Sequence, residues 1–304
     1  MKTKLVDFLY IFCISASGMS VSLFLKSDIV SLFCVVVTSV VAAIVFSMQP
    51  PLDLTKSVSK TLYIAGALSC SSASVFTAVA LAGRFVLDKT YVALLVFLSV
   101  AVTVIVSLSS LYSIKFTTAV ISAFALALLL LVILLSVLNK DFTKAKCLDY
   151  NVKSVLPLVA LSSVDSVFVI HHIKKHNRAL GVVAFSLTPA YFLITTIIAM
   201  STLSDKLFCA VDMPILKMWQ TTYVASFIDR YETLVVTSLV ALCLLKSGIM
   251  LKAVFEICQK KWWIILIIFL VVVLTVLSFA VMYALCAIII ASALYLVINT
   301  AFKK

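Results

Sequence analysis

Charged residues and helix-breaking residues are both scarce in this sequence. Only 12% of the 304 residues are charged, and glycine and proline number five each. So few charges cannot cover the surface of a water-soluble domain, which excludes a soluble globular enzyme. The eight cysteines form no CxxC pair and no metal-ligand spacing. What is abundant is apolar sequence, 64% of the chain, enough for about ten membrane spans of roughly twenty residues each.

Apolar runs between polar breaks predict ten transmembrane helices, because backbone polar groups in lipid must be satisfied within their own segment. These runs show none of the alternation that marks a strand of a membrane β-barrel. The predicted fold is therefore an all-α polytopic membrane protein, with a single membrane domain over residues 1–304. The predicted spans are 5–25, 28–48, 61–83, 90–110, 114–138, 152–171, 180–203, 225–248, 262–278 and 280–298.

Ten spans place both termini on the same side of the membrane. Fourteen of the 24 basic residues then lie on that side, among them Lys246 and Lys252 in a segment after the eighth span. Cytoplasmic segments carry an excess of Lys and Arg, so we expect a multi-pass protein with cytoplasmic termini. The net charge of +12 is explained by this topology and by contact with anionic lipid, so no nucleic-acid partner is predicted.

Two spans carry signs of an interrupted helix. Span one contains Ser15-Ala16-Ser17-Gly18 at mid-depth, and span six contains Pro157 and then Ser162-Ser163-Val164-Asp165. Because they lie five spans apart, they predict two halves, about 1–138 and 152–298, of an inverted-repeat transporter fold. The alternative is that Ser and Gly only allow close helix packing.

Small residues follow the third span in two stripes at intervals of four. The stripes are Ala65, Ser69, Ala73 and Thr77, and Gly66, Cys70, Ser74, Ala78 and Ala82. Backbones approach closely at such a face, so this helix is predicted to run through the middle of the bundle. Ser69 and Ser74, with Ser226 in the eighth span, are secondary candidates for lining a site.

Asp165 is the acidic residue that lies deepest in a predicted span, about a dozen residues into the sixth. A carboxylate at that depth is costly and marks a candidate functional residue. It would bind a cation or a ligand's amino group, or carry a proton. The alternative is that it borders a water-filled vestibule.

Other polar groups have simpler interpretations. Asp229, Arg230 and Glu232 form an acid–base cluster at the start of the eighth span that fixes this helix or gates an outer entrance. The histidines at 171, 172 and 176 belong to a basic interfacial segment, so neither a metal site nor a cofactor is predicted. Nucleotide-binding and hydrolase motifs are absent from the sequence, and we do not expect an enzyme.

The segment 213–260 resembles the B subunits of spore germinant receptors, the GerAB-type proteins. In that family a proline precedes the phrase F-[IL]-E-R-x-[DE], followed by an apolar helix that ends near a lysine. Here the proline is Pro214, the phrase is FIDRYE at 227–232 with Asp229 in place of Glu, and Lys246 fits the later position. The family is a divergent branch of the amino acid–polyamine–organocation transporters.

The resemblance implies a LeuT-like fold with ten helices in two inverted halves and breaks in helices one and six. It implies a subunit that senses a small germinant, commonly an amino acid, in the inner spore membrane. It also implies two protein partners, an A-type subunit and a lipoprotein C-type subunit.

The expected ligand site lies near mid-membrane, where helices one and six unwind. A half-helix N-terminus there favours a carboxylate, whereas free carbonyls and a carboxylate side chain favour an ammonium group. A secondary amino-acid transporter coupled to H⁺ or Na⁺ is the alternative function, and an assembly subunit without a ligand is a third. The candidate ligand-binding residues are Ser15, Ser17, Gly18, Ser162, Ser163 and Asp165.

Overall fold

The computed structural model describes most of the chain. The described residues are 2–23, 29–48, 52, 54, 56–86, 91–138, 152–162, 164–169, 178–203, 214–221, 231–258, 262–275 and 279–301. All regular secondary structure in these ranges is helical. The α-helices are α1 (Lys2–Met19), α2 (Ile29–Met48), α3 (Ser57–Leu81), α4 (Val92–Leu108), α5 (Leu111–Leu138), α6 (Val152–Ser162), α7 (Arg178–Thr202), α8 (Pro214–Thr221), α9 (Tyr231–Cys258), α10 (Trp262–Thr275) and α11 (Phe279–Ala301).

Helices long and apolar enough to cross a membrane number six among the described residues. They are Lys4–Leu23, Ser57–Arg84, Leu111–Leu134, Gly181–Ser201, Glu232–Cys258 and Val281–Thr300. Large apolar side chains such as Phe97 on α4 and Phe124 on α5 are exposed, as expected of helices that face lipid. The predicted class, an all-α multi-pass membrane protein, is therefore confirmed.

The pair α3 and α9 forms the centre of the bundle. α3 packs along α9 and also against α4 and α11, while α9 packs in addition against α1, α4 and α5. The hydroxyl oxygens of Ser71 on α3 and Ser247 on α9 lie 2.7 Å apart, and each is 3.0 Å from the other residue's carbonyl oxygen. The small-residue stripes correctly predicted the central position of α3, because they let its backbone approach these neighbours.

A second layer joins the remaining long helices to this pair. α1 packs against α5, α6, α7 and α9, whereas α6 packs against α1, α2, α3 and α11. α2 packs along α7, and α10 contacts α3 and α9. The two helices predicted to be interrupted, α1 and α6, therefore touch each other inside the bundle.

The interruption of α1 differs in position from the prediction, whereas that of α6 does not. The α-helix of α1 continues through Ser15–Gly18 to Met19 and then tightens into a 3₁₀ turn at Ser20–Leu23. α6 ends at Ser162, as predicted, and a 3₁₀ turn follows at Val164–Phe168. Ser and Gly do not unwind a helix by themselves when neighbouring helices pack against them.

The eighth span also differs from its predicted range of 225–248. α9 is 28 residues long, from Tyr231 to Cys258, so Lys246 lies inside a helix and its side chain is fully buried. Its predicted place in a cytoplasmic segment after that span was wrong. A lysine after a long apolar run looks like an interfacial anchor in sequence, but here the helix continues for three more turns.

Candidate functional site

The end of α6 leaves backbone groups inside the bundle. The α-helix stops at Ser162, and the following 3₁₀ turn is buried from Asp165 to Phe168. Carbonyls in the last turn of a helix have no partner within that helix, and inside a membrane each one needs a partner from elsewhere. We refer to Leu161–Phe168 as the helix-six break; Ser163 lies outside the described residues.

Lys246 of α9 is the bonding partner of polar groups in the first half of the break. Its Nζ forms an ion pair with Oδ2 of Asp165 and donates a hydrogen bond to the carbonyl oxygen of Leu161. Both charged side chains have no exposed surface. Breaking a buried pair leaves an uncompensated charge, so this contact holds the break firmly to α9.

Tyr63 of α3 is the hydrogen-bond donor to the second half of the break. Its hydroxyl donates a hydrogen bond to the carbonyl oxygen of Phe168, and the two rings meet edge to face with centroids 5.6 Å apart. The Phe168 ring also lies over Gly66, where a Cβ would overlap the ring. The small residue at 66 thus makes room for the end of the break, a specific function for one position of the predicted stripe.

Gly18 brings α1 against the break. A Cβ at this position would overlap the carbonyl group of Leu161 and would lie 2.7 Å from the backbone nitrogen of Ser162. Only a glycine allows this approach of the two backbones. The predicted glycine is therefore a point of helix contact rather than of unwinding.

The other side of α1 faces α9. The Sγ of Cys13 lies 3.6 Å from the Leu242 carbonyl oxygen, and the Ser20 hydroxyl lies 3.2 Å from the Sγ of Cys243. Ser17 belongs to this side, since its carbonyl oxygen lies 3.6 Å from the Sγ of Cys243 on α9.

Ser15 lies on the side of α1 that carries Gly18, because residues three apart share a helix face. Its side chain is fully buried, and its Oγ has no hydrogen-bond partner. A buried hydroxyl without a protein partner is available to a ligand or a water molecule; Ser72, Thr103 and Thr118 have such hydroxyls as well. Among the predicted ligand residues on α1, Ser15 alone has a buried polar side-chain atom without a hydrogen-bond partner.

The remaining predicted residues divide into those that the structure describes and those that it does not. Ser162 and Ser74 are buried and donate to carbonyls one turn earlier in their own helices, and Ser69 is buried on α3. Glu232 is half-buried in the first turn of α9. The others lie outside the described residues: Ser163, Ser226, Asp229 and Arg230.

Lys246 and Tyr63 were not predicted from the sequence to belong to the site. One signal for Lys246 was present, since Ile249, Met250 and Leu251 follow it and extend the apolar helix beyond it. No cluster of His, Cys, Asp and Glu suited to a metal occurs within the described part of the chain. The histidines 171, 172 and 176 fall outside that part.

Comparison with known proteins adds no assignment. No protein-family model matches the chain, and no curated protein matches it either.

Proposed function

We propose that this chain is the membrane subunit of a spore germinant receptor, and that it senses a small molecule, an amino acid in the simplest case, where α1 meets the helix-six break. The observation that carries the proposal is the contact of Gly18 with Leu161 and Ser162, beside the buried hydroxyl of Ser15. The germinant role itself and the A-type and C-type partners derive from the resemblance at 213–260.

The helix contacts support a LeuT-like arrangement of two equivalent halves. Exchanging α1 with α6, α2 with α7, α3 with α9, α4 with α10 and α5 with α11 turns one half into the other. The pairing of α3 with α11 then becomes that of α9 with α5, and α1 with α7 becomes α6 with α2. Likewise α1 with α5 becomes α6 with α11, and α4 with α9 becomes α10 with α3. Such internal symmetry is typical of transporter folds that bind ligands near the midplane, between the repeats.

The chemistry of the junction suits an amino acid. The Ser15 hydroxyl is free to donate to a carboxylate, and Asp165 with the Leu161 carbonyl is an acceptor set for an ammonium group. Lys246 now occupies these acceptors, so a ligand ammonium has to compete with it. A ligand that replaces Lys246 would release α9 from the helix-six break and shift the bundle toward a second arrangement.

A binding screen on the purified chain in lipid nanodiscs tests this proposal. The melting temperature is measured with each of the common L-amino acids at 10 mM, and we expect at least one of them to raise it. The Ser15→Ala variant should keep the unliganded stability, because the lost hydroxyl has no partner, but should bind that amino acid roughly 10-fold more weakly or worse, as expected for loss of a hydrogen bond to a charged group.

Thr103→Val is the matched control, since Thr103 on α4 is also buried and its hydroxyl has no partner. It should bind the amino acid as the unmodified chain does. The proposal fails if no amino acid changes the melting temperature, or if the two variants weaken binding equally.

A secondary transporter remains the second candidate, and one observation favours it. A fully buried, ionisable Asp165–Lys246 pair inside a membrane is the kind of group that carries protons in coupled transporters. Uptake of the labelled amino acid into proteoliposomes distinguishes the two functions. Accumulation against a gradient by this chain alone would contradict a pure receptor.

A further inference from the structure

We infer that the ammonium group of Lys246 acts as a built-in cation that holds the helix-six break together. Removal of the Lys246 side chain would then create a site for a small cation from solution. The inference does not depend on the identity of the ligand. It rests on the atoms around the Lys246 ammonium group.

The acceptors around that group are those of a cation site. They are a carboxylate oxygen of Asp165 and the carbonyl oxygen of Leu161, which the end of α6 leaves without a helical partner. Carboxylate and free carbonyl oxygens are the donors that proteins use for hard cations, and unwound membrane helices offer carbonyls for this purpose. A lysine ammonium is a compact point charge with three donors, so it takes the place of such a cation.

Burial makes the cation necessary. Asp165 and Lys246 are both fully enclosed, and an isolated charge in such a place is very costly. Cys70 and Cys286 lie within electrostatic range of both charges, and Cys13 and Cys243 lie within range of Lys246, but a cysteine side chain supplies no positive charge. The positive charge that balances Asp165 is therefore that of Lys246.

The Lys246→Ala variant tests the inference. It removes every atom beyond Cβ, which leaves the oxygen ligands in place and opens room for sodium or ethylammonium. The melting temperature is measured in detergent or nanodiscs at pH 7, without amino acids, in 200 mM sodium, ethylammonium or N-methyl-D-glucamine chloride. We expect the unmodified chain to melt at the same temperature in all three salts.

The variant should melt lower and become cation-dependent. If the cation concentration is about 100 times the dissociation constant of the site, the melting temperature of the variant should be roughly 5 °C or more higher in sodium or ethylammonium than in the bulky cation. Equal melting temperatures of the variant in the three salts would overturn the inference. A similar dependence in the unmodified chain would overturn it as well.

Two controls separate this effect from general salt effects. Lys252→Ala removes another lysine of α9, whose Nζ donates to the Ser109 carbonyl oxygen at 2.8 Å, and should show no cation dependence. Asp165→Asn with Lys246→Ala removes the carboxylate and should abolish the rescue. Rescue that persists in the double variant would contradict the proposed site.

A folding defect does not leave the question open. Membranes containing Lys246→Ala are also solubilised in ethylammonium chloride, where the inference predicts recovery of monodisperse protein. The inference would be overturned if the double variant were recovered in every salt and Lys246→Ala in none, because no external cation would then replace the lysine. Because no amino acid is present, failure here is distinct from failure of the proposed receptor function.

Discussion

Separating the charges of Asp165 and Lys246 should be far more damaging than removing both. Each side chain is fully buried, so neither charge can be hydrated when its partner is lost. Removing one partner of such a pair typically costs about 3–5 kcal/mol, whereas replacing both by neutral residues is close to neutral. Lys246→Met should be the worse single change, because it also leaves the Leu161 carbonyl without a donor, which costs roughly a further 1–3 kcal/mol.

A double-mutant cycle measures this coupling. Asp165→Asn, Lys246→Met and the double variant are unfolded reversibly in mixed micelles containing dodecyl sulfate, and the free energies of unfolding are compared. We expect the double variant to be more stable than either single variant, with a coupling energy of at least about 3 kcal/mol.

The Asp7–Lys115 pair is the matched control. Its atoms are 3.2 Å apart, but the two side chains keep 8% and 19% of their surface exposed. Partial hydration lowers the expected coupling to about 1 kcal/mol or less. Equal coupling in the two cycles, or a double variant as unstable as the sum of the singles, would refute the argument that burial makes the Asp165–Lys246 pair hold the break.

Three further changes test the contacts around the break. Gly18→Ala should destabilise the chain by about 1–3 kcal/mol through overpacking, while Gly83→Ala, whose Cβ would meet its nearest atom at an ordinary 3.4 Å, should not; equal effects in thermal melts would contradict the close approach of α1. Tyr63→Phe leaves the Phe168 carbonyl without its hydroxyl donor and should cost about 1–3 kcal/mol in the same unfolding assay; an unchanged value would mean that this carbonyl has another donor. Ser71→Ala should cost only about 0.6 kcal/mol, the average for hydrogen bonds between membrane helices, and a loss above about 2 kcal/mol would show that this contact does more than join α3 to α9.

The sequence was most informative where one residue type implies one physical constraint. Long apolar runs predict helices because lipid offers no partner for the backbone, and the stripes through Gly66 and Ser69 predict a central α3. The depth of Asp165 in the sixth predicted span indicated a carboxylate inside the bundle, and Asp165 is fully buried. These features are local, so each can be recognised without knowing which helices are neighbours.

The rest of the site depends on contacts between distant segments. Lys246 lies 81 positions after Asp165 in the sequence, and nothing in either segment shows that they meet. Gly18 was a sign of unwinding in the sequence, but its role in the structure is to admit the backbone of α6. Both differences arise because the partner of each residue is set by tertiary packing.

Spores allow a test of the proposal that this chain senses a germinant at the junction of α1 and the helix-six break. The most direct measurement is the germination response of spores carrying the unmodified chain, Ser15→Ala or Thr103→Val, at equal levels of the protein, as a function of amino-acid concentration. We predict that Ser15→Ala raises the half-maximal concentration roughly 10-fold or more and that Thr103→Val leaves it unchanged. An unchanged response in Ser15→Ala spores would contradict the claim.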